Sequence, residues 1–143
     1  GKIAEEVCAS LPSAYDARVV PGVIYSDPEI AWVGLQEPEA IKTGRSIITG
    51  VFPFSASGRS LGANRPHGFA KVIADPLSHL LLGGLIVGAH ASDMIAEIGF
   101  ALEMGAKLED IAGTIHPHPT YSESILEATE DALKKCVHLP MRK

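Results

Sequence analysis

The residues best suited to chemistry lie in one short segment near the end of the chain, from Ile115 to Glu123. Each proline in it fixes its own φ angle and pushes the preceding histidine toward extended backbone. His116 and His118 are therefore held in place, and either His–Pro bond could be cis. A carboxylate such as Glu123 can bind one ring nitrogen of His118 and leave the other free to accept a proton. This arrangement would suit a general base with an orienting acid.

The same segment also has a purely structural interpretation. Thr120 is expected to be the N-cap of a helix that opens at Tyr121 and continues to Leu133. Thr120-x-x-Glu123 then fits a capping box, in which the glutamate only accepts a hydrogen bond from the N-cap amide. Helix starts of this kind are common, so the spacing alone favours a cap over catalysis. Tyr121 either covers the approach to His118 or only staples the helix start.

The elements that must position this segment are strands first and helices after. Five runs of β-type residues between Gly, Pro, Asn and Asp breakers predict strands over residues 23–26, 31–35, 46–54, 69–74 and 80–87. After Ser92, a plausible N-cap, the spacing becomes helical and predicts helices over residues 93–104 and 108–112. Strands followed by helices imply an α+β fold, an antiparallel β-sheet with helices packed on one face.

Composition limits the classes of function. The chain has 143 residues, of which 46% are hydrophobic and 20% charged, enough for one core. A net charge of −5 argues against nucleic acid as a partner. The longest apolar run is broken by glycines and is too short to span a membrane. Cys8 and Cys136 are far apart and the histidines lack metal-ligand spacing, so we expect free thiols, a reducing compartment and no metal site.

Several motifs resemble one family. His118-Pro119-Thr120-x-x-Glu123 is similar to the C-terminal signature of the flavin-dependent pyridine nucleotide-disulfide oxidoreductases. The extra histidine His116, and Trp32 in an Ala-Trp-Val-Gly run, resemble the dihydrolipoamide dehydrogenase branch more than the glutathione reductases. Further matches follow in the family's order: Pro21–Gly34, Phe52–Phe54, Ser57–Arg59, Gly68–Lys71 and Glu97–Gly105.

The resemblance implies a domain of a longer enzyme. Residues 21–143 would form its C-terminal dimerisation (interface) domain, and residues 1–20 the end of the preceding domain or a linker helix. The Cys-x4-Cys redox motif and the glycine-rich FAD fold of the family are both missing from this sequence. We therefore expect FAD and NAD in the full-length protein, but no cofactor and no activity in this chain alone.

The resemblance also assigns roles to the residues. His118 would accept a proton from dihydrolipoamide, and Glu123 would orient it, while electrons pass to FAD and then NAD. His118 and Pro119 would contact the cofactor, with the His118 carbonyl near the flavin, in the active site of the other subunit of a homodimer. Helices 93–104 and 121–133 are expected to form the interface.

An acyltransferase subunit of a 2-oxo acid dehydrogenase complex is the expected protein partner, because a basic segment would suit an acidic surface. The expected location is the cytoplasm, or the mitochondrial matrix in a eukaryote. Two other functions remain open: the same domain of another flavoprotein disulfide reductase, such as glutathione reductase, and a purely structural dimerisation or partner-docking module.

Overall fold

A computed structural model describes residues 1–139 and shows a five-stranded antiparallel sheet of order β1-β2-β5-β4-β3. Its strands are β1 (Gly22–Ile24), β2 (Ile30–Gly34), β3 (Ile48–Pro53), β4 (Phe69–Ala74) and β5 (Leu81–Val87). Its helices are α1 (Lys2–Cys8), α2 (Glu37–Thr43), α3 (Gly58–Gly62), α4 (Ala91–Glu103), α5 (Leu108–Ala112) and α6 (Glu123–Ala132). The predicted α+β fold is confirmed, and each predicted strand is present to within two residues.

The core lies on one face of the sheet, because side chains alternate between the two faces along each strand. Ala31 and Val33 of β2 are fully buried beneath α4. Trp32, between them, belongs to the opposite face and packs over Gly22 of β1. The short helix α2 lies on that opposite face, where its Glu37 forms an ion pair with Lys71 of β4.

Two glycines bring the long helices close to the core face. A Cβ on Gly50 would lie 1.9 Å from the carbonyl oxygen of Ala128 in α6. A Cβ on Gly84 would lie 2.7 Å from Cδ1 of Ile98 in α4. Val72 pairs with both glycines across the sheet, so α4 and α6 lie on the same face. The close approach buries Ile98 completely, which stabilises the fold by about 1.5–3 kcal/mol.

The prediction that Ser92 is the N-cap of α4 is wrong. The helix begins two residues earlier than predicted, at Ala91, after His90 in the left-handed conformation with φ 63°. The backbone N–H of Ser92 donates instead to Oε2 of Glu29, at 2.9 Å. A helix leaves its first N–H groups without partners and favours negative charge there. The β1–β2 connection therefore supplies the cap for α4.

We expect Glu29→Ala to lower the free energy of unfolding by about 0.5–2 kcal/mol, the usual effect of losing an N-terminal cap. Urea unfolding of the chain would measure it. Asp16→Ala removes an exposed carboxylate outside the helices and should stay within about 0.5 kcal/mol of the parent chain. Equal losses in both variants would show that Glu29 does not cap α4.

Residues 1–20 have few contacts with the domain. No residue of α1 is buried, and the segment is attached where the N–H groups of Arg18 and Val19 donate to Oε1 of Glu103. The boundary near residue 20 stays a prediction. None of the helices within residues 1–139 combines the length and hydropathy needed to cross a membrane.

Candidate active site

The loop between α5 and α6 carries the candidate base. The expected helix start at Tyr121, with Thr120 as N-cap, is wrong, because α6 begins at Glu123 and has no side-chain cap. The hydroxyl of Thr120 donates backward to the carbonyl oxygen of Pro117, at 2.8 Å, and so closes the loop on itself. Of the two His–Pro bonds considered, only the one between His118 and Pro119 is cis.

Glu123 holds this loop with both of its carboxylate oxygens. Oε1 lies 2.7 Å from Nδ1 of His118, and Oε2 accepts a hydrogen bond from the N–H of Thr120 at 2.6 Å. The contact that an orienting acid would make and the backward half of the capping box are therefore present together. The other half of the box, a hydrogen bond from the backbone N–H of Glu123 to the side chain of Thr120, is absent.

The Glu123 contact determines which nitrogen of His118 can accept a proton. A carboxylate can only accept a hydrogen bond, so Nδ1 of the neutral ring carries the hydrogen and Nε2 keeps its lone pair. The His118 side chain is 79% exposed, and Nε2 has no partner within residues 1–139. The geometry suits a general base that a substrate can reach.

Pairing with a carboxylate does not by itself mark a base in this protein. Four more histidines are paired in this way: His79 with Glu109, His90 with Asp93, His116 with Glu97, and His138 with Glu127. His116 differs from His118 because both of its ring nitrogens have partners and its side chain is only 5% exposed. Of the two histidines in the loop, only His118 has a free nitrogen.

The cysteines do not form a nucleophilic site. Cys8 is exposed near the N-terminus, whereas the thiol of Cys136 donates to Oε2 of Glu127 at 3.1 Å. Burial, and then the hydrogen bond to Glu127, raise the pKa of the Cys136 thiol. The protonated thiol is a poor nucleophile. No cluster of three His, Cys, Asp or Glu side chains in residues 1–139 could hold a metal ion.

Tyr121 packs against three neighbours from the rest of the domain. Its ring centroid lies 4.8 Å from that of His90 and 6.0 Å from that of Phe54. The guanidinium carbon of Arg59 lies 5.7 Å from the same ring, over its face. These contacts attach the residues just before α6 to the start of α4, to the residue that follows β3 and to α3.

An open groove of about 450 Å³ lies between α4 and the loop. It is lined mainly by apolar atoms, and His116 and Pro117 form part of its wall. Phe100 of α4 and Met104, which directly follows the helix, line it and are 70% and 68% exposed. A Cβ added to Gly99 would meet nothing within 4 Å, so no contact within the described chain requires a glycine at this position.

The two helices expected at the interface differ in what they expose. Residues 121–133, which include α6, are all buried or half-buried. Of these two helices, α4 is the one that exposes a large apolar side chain, Phe100, and the exposed Met104 directly follows it. Large apolar side chains grouped on a surface are typical of a protein interface.

Comparison with known proteins identifies a family. Residues 20–129 match the family model described as pyridine nucleotide-disulphide oxidoreductase, dimerisation domain. A dihydrolipoyl dehydrogenase of Halobacterium salinarum is 51% identical over 96% of this chain and 29% of its own length. One from Geobacillus stearothermophilus is 46% identical over 97% of this chain and 30% of its own length. The chain thus spans less than a third of these relatives.

Solved structures agree on the fold. LpdA from Mycobacterium tuberculosis superposes with a TM-score of 0.79 at 26% identity, over 89% of this chain and 28% of its own. The HOCl-induced flavoprotein disulfide reductase RclA from Escherichia coli gives a TM-score of 0.83 at 24% identity, over 90% of this chain and 30% of its own. At the identity of RclA only the fold is carried over.

Proposed function

Because this chain belongs to the dimerisation domains of the pyridine nucleotide-disulphide oxidoreductases, we propose that it supplies the general base of a dihydrolipoyl dehydrogenase. The observation that carries the proposal is the His118–Glu123 pair, with Nδ1 fixed and Nε2 free and exposed. Identities of 46–51% to enzymes of that name support the substrate class.

The chemical step needs a proton acceptor. A thiol with an ordinary pKa near 8.5 is mostly protonated at neutral pH, and the thiolate is the nucleophile. Nε2 of His118 would take the proton from one substrate thiol as its sulfur attacks the enzyme disulfide. A new S–S bond to the substrate forms, the enzyme S–S bond breaks, and one enzyme thiolate leaves. Glu123 stabilises the imidazolium that results, because its carboxylate accepts from Nδ1.

The contact that this chain would offer a flavin lies on the loop. His118 and Pro119 are both exposed there, so a bound cofactor would be able to reach them. The sequence contains no glycine-rich phosphate-binding turn, so the preceding part of the polypeptide would hold FAD and NAD. When bound, FAD would carry electrons from the enzyme dithiol to NAD, and His118 would serve only the proton transfer.

A homodimer would bring the base to the rest of the site. The exposed side chains of Phe100 and Met104, together with the open space at Gly99, make α4 the surface that a second copy would cover. His118 would then act on a disulfide held by the other subunit. The location we propose is the cytoplasm, or the mitochondrial matrix in a eukaryote. The protein partner we propose there is an acyltransferase subunit, because a basic segment of it would suit the acidic surface of this chain.

Two measurements on the full-length protein test this proposal. It should sediment as a dimer and reduce NAD with dihydrolipoamide as the electron donor. A protein that instead reduces glutathione disulfide, and does not oxidise dihydrolipoamide, would be a different reductase. A monomer with full dihydrolipoamide activity would contradict a base supplied across the dimer.

A further inference from the structure

The buried imidazole of His116 lies between two hydrogen-bond acceptors. Nδ1 is 2.9 Å from the carbonyl oxygen of Thr114, and Nε2 is 2.8 Å from Oε1 of Glu97. A carbonyl oxygen can only accept, so Nδ1 carries a hydrogen. One further proton must then lie between Nε2 and Oε1 of Glu97, bonded to the nitrogen or to the oxygen. In both arrangements His116 has no free lone pair, so it cannot be the base while the pair is intact.

Glu97 places this pair on the wall of the groove. It lies on α4, three residues before Phe100, so these two side chains share one face of the helix, and Met104 directly after the helix lines the same groove. His116 contributes to the opposite wall from the loop. The hydrogen bond between Nε2 and Glu97 therefore joins α4 to the loop that carries His118.

Two carboxylates thus hold this loop at its two ends. Glu97 of α4 fixes the end at His116, and Glu123 of α6 fixes the end at Thr120. His118 lies between these two points, and its own ring makes one further contact, to Glu123. The direction of Nε2 depends on both attachments, because a loop fixed at one end only would let the ring swing.

We propose that Glu97 and His116 are positioning residues that hold His118 in place for proton transfer. The proposal rests on the function proposed for His118 above. A base displaced by about 1 Å can lose as much as a hundredfold in rate, because a bound reactant must lie close to its proton acceptor. Neither positioning residue needs to touch the substrate.

The test uses the full-length enzyme and two substitutions at one position. Glu97→Ala removes the attachment and should lower the kcat of dihydrolipoamide oxidation between about tenfold and a hundredfold. In Glu97→Gln the amide can donate to Nε2 while Nδ1 still donates to Thr114, so the attachment survives without the extra proton. We expect Glu97→Gln to restore most of the kcat. Glu109→Ala breaks the His79–Glu109 pair outside this loop and should leave the rate unchanged.

A second assay separates positioning from general damage. Electron transfer from NADH to ferricyanide uses the flavin but needs no base for a dithiol, so Glu97→Ala should leave its rate unchanged. If Glu97→Ala lowers both rates equally, or lowers neither, the proposal is overturned. If Glu97→Gln is as slow as Glu97→Ala, a simple attachment is the wrong explanation. Full dihydrolipoamide activity in His118→Gln would instead overturn the function proposed for His118, whatever Glu97 does.

Discussion

Replacing His118 with glutamine in the full-length enzyme is expected to lower the rate of dihydrolipoamide oxidation by roughly 10²–10⁴, the usual contribution of a general base. Glutamine keeps a similar size and can still hydrogen-bond to Glu123, but it cannot accept a proton. Because the side chain is 79% exposed, stability should change little. Steady-state kinetics with dihydrolipoamide, and a flavin spectrum of each variant, would measure the effect.

His116→Gln is the control for this result. Its imidazole has no free nitrogen, so losing it should disturb the position of the loop but remove no base. We therefore expect a smaller loss of rate than in His118→Gln, with flavin still bound. Were His116→Gln the more damaging change, the assignment of the catalytic histidine would be wrong.

Glu123→Gln is expected to cost about tenfold to a hundredfold in the same rate, because one donor loses its acceptor. The two oxygens of Glu123 accept from Thr120 and His118. An amide has a single oxygen, so whichever way it turns, its NH₂ group faces one of these two donors. Glutamine would serve a cap alone, but it cannot accept from both N–H donors at once.

A matched substitution on the same helix checks this interpretation. The side chain of Glu130 has no hydrogen-bond or ion-pair partner within residues 1–139, and Glu130→Gln should leave the rate unchanged. Melting temperatures of both variants would show whether activity is lost beyond any loss of stability. Near-normal turnover in Glu123→Gln would reduce Glu123 to a helix cap.

The sequence predicts well what depends on local patterns. Alternation along the strands and the helical spacing after Ser92 placed each strand and the three C-terminal helices, and the motif brought His118 and Glu123 together as expected. The start of α4 was misplaced because its cap comes from Glu29, 63 residues away in sequence. The pair between His116 and Glu97 leaves no sequence signal either. Its residues are 19 apart, and the packing of the loop on α4 brings them together.

The strand residue Gly50 sets the distance between the sheet and the helix that begins with Glu123. A methyl group there would collide with the backbone of α6 at Ala128, so the helix would have to move outward. Because Glu123 is the first residue of α6, such a movement would reach the hydrogen bond that aims His118. Selection for catalysis would therefore act on Gly50 as well. An allele that encodes alanine at this position would impair turnover without altering any residue that contacts substrate.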